Sequence, residues 1–477
     1  MKIKGYIWLY VSLFCLLWSC KTQRQALKNQ ENGDGIITYQ IKEEQSKIPD
    51  ETVKIRINFV LLNNDDGLGG FNIDNPEHMD LLNSAVIWMN ASLAANGEIK
   101  NPDCFNNRTC YPKRTAEDYI HIPNAKIEFV VNEVLTYDAT KFWDNQDCQD
   151  GEDDPSNKEC PDDGKKYRCP NDEYSGNWYL NPLSQEINRD PNILPAIDIF
   201  FTEDGDEFEE YVLNGSCENP SGKFHTQDCS ERPSASLDKE QRVHMRSAFL
   251  KYSYIMNCSV CETTGPECIN VGTPNECCIR EKILNNLKDG MSRTLMHELG
   301  HSVEFTSGHC NVCPREGLMH ASRPGKYLHN NEIEYAHEKI RNSNLRKYII
   351  SDEPIFMNGD HQTWSNFLNL HKHYVLVNKT KLEMQNETHV LPNKQLVVDE
   401  SNLTIASEGR LILEENAKLV VKDGATLTIL EGGTIQMKPN SRVIIQCGAN
   451  VEYATNNFIL NRGGLGVIEM PCKQIGG

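Results

Sequence analysis

The sequence predicts an α+β domain over about residues 51–350, followed by a small all-β repeat module. Two patterns carry that expectation. In the first part, runs of alternating apolar and polar residues give way to runs with helical spacing. Near the end, apolar positions recur every eight residues. The chain has 477 residues, 39% of them apolar, which is ample for more than one core. Its formal charge of −20 argues against a nucleic-acid partner, because phosphate binding needs a basic surface.

The first element is a leader. Met1-Lys2-Ile3-Lys4 is basic, Tyr6 to Trp18 is apolar, and Ser19-Cys20 follows, so residues 1–20 read as an export signal. Leu17-Trp18-Ser19-Cys20 resembles the lipobox of bacterial lipoproteins. That resemblance implies acylation of Cys20, membrane attachment through the lipid, and an extracytoplasmic place on a bacterial envelope, at the outer membrane or surface. Residues 21–50 are polar with little periodicity and read as a tether. Of 18 cysteines, setting aside Cys15 and Cys20 leaves an even number, which fits disulfides in an oxidising compartment. A structural zinc site is the rival reading for Cys258 and Cys261 with Cys277 and Cys278.

Val53 to Val60 alternates and reads as a strand. His78 to Leu93 places Leu81, Leu82, Ala85, Val86, Met89 and Leu93 at helical spacing, with Asn75-Pro76 as a start signal. Ala125 to Leu135 and Ala196 to Phe201 read as two further strands. Between them, Asp144 to Gly164 is acidic and cysteine-bearing, a solvated disulfide loop or a calcium site. Ile283 to Phe305 reads as a turn at Asp289-Gly290 and then a helix, with Ser292 as its N-cap. Asn330 to Ile350 reads as a final helix. Residues 351–395 are expected to be a linker, and 396–477 the repeat domain.

The repeats run RLILEENA, KLVVKDGA, TLTILEGG, TIQMKPNS, RVIIQCGA and NVEYATNN from Arg410. Positions two and four are apolar throughout, and in the first five repeats position seven is Asn or Gly. Short strands with a turn every eight residues must stack, so a β-solenoid or a compact sandwich is expected. Cys447 and Cys472 are placed to staple its end.

The chemistry centres on His297-Glu298-Leu299-Gly300-His301. Residues four apart on a helix share a face, so His297 and His301 can present imidazoles to one ion, with Glu298 beside them as a proton acceptor. Catalytic zinc needs a third protein ligand. Downstream candidates are Glu304, His309, His320, His329 and Glu334. Gly308-His309 is the preferred pair, because a glycine can end the helix in a left-handed conformation and return the next residue to the metal.

HELGH, then Gly-His, then Gly317-Leu318-Met319-His320 resembles the metzincin zinc metallopeptidases, and within them the pappalysin-like branch. The resemblance covers about residues 51–350 and rests mainly on 294–340. It implies a mixed twisted sheet, an active-site helix, a Met-turn at Met319 and a closing helix over 328–350. It also implies Zn2+ on His297, His301 and His309, with Glu298 as general base. One departure is plain. The family spacing HExxHxxGxxH places glycine at 304 and histidine at 307, where this chain has Glu304 and Ser307. The activity implied is endopeptidase cleavage of extracytoplasmic proteins or peptides. The alternative is a surface binding or adhesion lipoprotein that keeps the shell with little or no turnover.

Overall fold

The computed structural model describes residues 24–31, 35–43, 47–99, 115, 117–138, 180–202, 236–246, 248–249, 252–253, 276–305, 317–319, 327–454, 459–460 and 466–470. Cys20, His309, His320, Cys472, the Asp144 to Gly164 stretch and the Cys258/Cys261 pair lie outside them.

Strands β1 (Arg24–Glu31) and β2 (Ile37–Glu43) pair antiparallel. The segment expected as a free tether is therefore structured in part. Its turn is docked: Ile36 is buried against Val375, Val377, Val397, Val420 and Ile444. The Gln395 amide also donates to the Gly35 carbonyl at 2.8 Å. Further on, Lys47 Nζ pairs with Glu334 at 2.6 Å.

The first large unit is a four-stranded sheet of β3 (Val53–Asn63), β4 (Ile127–Asp138), β5 (Ile197–Thr202) and β6 (Arg242–Arg246), in the order β4-β3-β5-β6. All three pairings are parallel, so among the described residues the sheet is not the mixed one expected. The reason lies in the connections, which are long and carry helices α1 (Pro76–Ala94) and α2 (Asn181–Arg189), as parallel neighbours require. Every residue of β5 is buried, as in a strand covered on both faces. α1 begins as its sequence predicts: the Asn75 side chain accepts from the Glu77 N–H, and Pro76 occupies the first turn. The same six apolar positions are buried.

Helix α3 (Glu276–Ser302) is 27 residues long and runs straight through the expected turn. Ser292 is an interior residue, 3% exposed, not a cap. Leu287, Met291, Leu295, Leu299 and Val303 form one buried stripe at four-residue spacing across Asp289-Gly290. Burying that stripe outweighs the roughly 1 kcal/mol that a mid-helix glycine costs. α4 (Asn330–Asn342) is shorter than expected, and a 3-10 turn over Asn344–Tyr348 takes up the rest.

From Ile355 the chain coils through three parallel sheets of six, five and five strands, each strand pairing with the equivalent strand of the next coil. Lys418 pairs with Arg442, 24 residues later, so one eight-residue repeat is one side of a three-sided coil. The region is solenoid-like, and its parallel pairing rules out the sandwich. It begins at Ile355, so residues 351–395 are its first coils and not a linker. Positions two and four of the repeats, such as Leu411, Leu413, Leu419 and Val421, point inward and are buried. Cys447 is disulfide-bonded.

Candidate functional site

The site sits on the last turns of α3, packed by its apolar stripe against the sheet and α1. His297 is 3% exposed and Glu298 fully buried. The two imidazoles meet edge to face, and their Nε2 atoms lie 3.2 Å apart. Two nitrogens bound to one tetrahedral zinc at 2.0–2.1 Å lie about 3.3 Å apart. The pair is thus already at ligand spacing, and the donor set of two imidazoles with an adjacent carboxylate fits zinc. Glu298 Oε1 is 3.9 Å from His297 Nε2, close enough to reach a molecule held there.

Orientation comes from the segment around Met319. The Leu318 N–H donates to the Tyr327 carbonyl at 2.9 Å, and Gly317 bridges to Tyr327. The Leu318 carbonyl in turn faces His297 Nδ1 at 3.3 Å. A carbonyl only accepts, so His297 carries its proton on Nδ1 and turns the Nε2 lone pair toward His301. Met319 is buried beneath the helix at Gly300, where an added Cβ would meet Met319 Sδ at 2.6 Å. A glycine is needed there for that approach.

The helix ends earlier than the sequence reading had it. Phe305 N–H donates to the Gly300 carbonyl (2.9 Å) and Glu304 N–H to the His301 carbonyl (3.0 Å). These are the two bonds of a Schellman turn, with Glu304 at the left-handed position, φ 56°. The helix therefore ends in a turn at Glu304, where the resemblance places its glycine; Gly308 lies outside the described residues.

Three of the five candidate third ligands are engaged elsewhere. Glu304 pairs with Lys339 at 3.1 Å, and Glu334 with Lys47. His329 caps α4: its Nδ1 accepts from the Asn331 N–H, Glu332 accepts from the His329 N–H, and its Nε2 faces the Thr115 carbonyl. His309 and His320 are the two outside the described residues. Among the described residues no three His, Cys, Asp or Glu side chains form a metal cage. Sequence reasoning missed the Leu318 carbonyl and Lys339, whose roles are visible only once distant segments meet.

No family model matches the chain, and no curated protein and no solved structure matches it. No helix among the described residues is long and apolar enough to cross a membrane.

Proposed function

We propose that the chain is a zinc-dependent endopeptidase of metzincin type, close to the pappalysin-like branch, exported and lipid-anchored through Cys20 on a bacterial envelope. The observation that carries the reading is the His297–His301 pair at 3.2 Å, oriented by the Leu318 carbonyl, with buried Glu298 alongside. His297 and His301 hold the metal, and His309 is the preferred third ligand, with His320 as the other open choice. Zinc held by these residues would polarise the scissile carbonyl and lower the pKa of a water to about 7. Glu298 accepts a proton from the attacking water and passes it to the leaving amine. Its burial keeps the carboxylate away from competing solvent, and the apolar stripe of α3 fixes its place. Met319 supports the helix from beneath through contact at Gly300.

The test is Glu298→Ala in the full chain. Metal content by elemental analysis is expected to stay near one zinc per chain, and cleavage of denatured casein to fall about 10²- to 10⁴-fold. Unchanged cleavage would remove Glu298 as the base. A wild-type chain that binds zinc but cleaves nothing, with or without phenanthroline, would favour the adhesion reading.

A further inference from the structure

We infer that Glu304, Lys339 and Tyr335 form a latch that holds the last turn of the active-site helix, doing at this turn what glycine would do by conformational freedom. The inference deepens the zinc reading and rests on it. Glu304 occupies the left-handed region at φ 56°, which is strained for any residue with a side chain. Its carboxylate also sits at the negative end of the α3 dipole, an unfavourable place for a second negative charge. Two costs at one residue call for a compensating partner, and the structure supplies it. Glu304 is only 6% exposed, and its Oε2 lies 3.1 Å from Lys339 Nζ on α4. Lys339 Nζ also lies 5.0 Å from the ring centre of Tyr335, one turn earlier on α4.

The latch ties the end of α3 to α4. Phe305, fully buried against Gly300, closes the turn from the other side. The turn that follows His301 is therefore held by an ion pair between two helices. The 3.2 Å spacing of the two imidazoles depends on that held turn. Lys339 and Glu304 act through His301, as positioning residues, and touch neither metal nor substrate.

The experiment uses the full chain loaded with Co2+ as a visible reporter, with metal affinity read by competition against a chromophoric chelator. Lys339→Met is expected to weaken metal binding about 10- to 100-fold, the range for lost outer-sphere support, and to shift the cobalt absorption bands. Lys339→Arg keeps the cation and is expected to restore both. Glu304→Gly relieves the strain but removes the latch, so it is expected to fold at least as stably as wild type and still bind metal more weakly. Wild-type affinity and spectrum in Lys339→Met, or in Glu304→Gly if Lys339→Met does not fold, would overturn the latch alone. A wild-type chain that binds neither Zn2+ nor Co2+ would overturn the metal reading and the latch together.

Discussion

Gly300 is the residue on which the site's geometry turns most directly. A methyl group there would press on Met319 Sδ at 2.6 Å and on Phe305 at 3.1 Å. Gly300→Ala gains helix propensity but must push Met319 aside, and overpacking of this kind costs about 1–3 kcal/mol. The expected outcome is a lower melting temperature with metal affinity also reduced, measured by calorimetry and chelator competition. Asp198 offers a second residue-scale test. It is buried in β5, takes a hydrogen bond from Asn58 at 2.9 Å, and burial pushes its carboxyl up to about 7. A raised carboxyl pKa means the folded chain holds a proton that the unfolded chain has already released. Stability from this group is therefore full below about pH 4 and lost as pH rises toward 7, by about 4 kcal/mol at most. Asp198→Asn is expected to flatten that slope between pH 4 and 7 in urea titrations; an identical slope would reassign the proton. At this scale the sequence was informative where spacing on one helix suffices, as for His297, Glu298 and His301. It was silent on what orients them: the resemblance singles out Met319 but not the Leu318 carbonyl, whose contact with His297 spans 21 residues.

Among the elements, the solenoid-like strands were the most legible and α3 the least. The repeats announce themselves because each side of a coil needs two inward apolar residues and one left-handed turn residue. Asn416, Gly424, Gly432, Asn440 and Gly448 all have positive φ, at the seventh position of successive repeats. Asn416→Gly is expected to be neutral or slightly stabilising. Asn416→Val, a β-branched residue forced to φ 59°, is expected to cost about 1–2 kcal/mol, read from the chemical midpoint of unfolding. α3 misled because Asp-Gly is a strong turn signal in isolation. Only the continuous stripe from Leu287 to Val303, buried on both sides of it, reveals a single helix. Strand β6 escaped notice for a related reason: five residues, RVHMR, carry too few apolar positions to mark a strand without its neighbour β5.

On the scale of the whole molecule, the two halves share their boundary residues. Leu237 belongs by sequence to the sheet half, just before β6, yet it is fully buried in the core of the coils. Asp238 accepts from the Asn366 N–H at 2.9 Å and from the Ser365 hydroxyl at 3.0 Å. Lys347 Nζ, almost fully buried, donates to the Leu237 and Lys239 carbonyls and to Glu240. Arg346 donates to the Phe356 carbonyl at 3.0 Å. A chain cut at residue 350 strips Leu237, Asp238 and Arg346 of these partners, though not Lys347, so it is expected to lack a cooperative thermal transition; a sharp transition would show the halves to be independent. The sequence implied a boundary here because composition changes, but composition does not record who buries whom. The coils themselves lengthen from 19 residues, Ile355 to Tyr374, to 24 between Lys418 and Arg442. From Asn402 to Asn450 the pairings keep the bare eight-residue rule, 24 residues to a coil. Gaining or losing one of those distal turns would alter the protein's reach by a single strand spacing, about 4.8 Å, and leave the histidine pair undisturbed. The C-terminal half is thus built in fixed increments, one coil at a time.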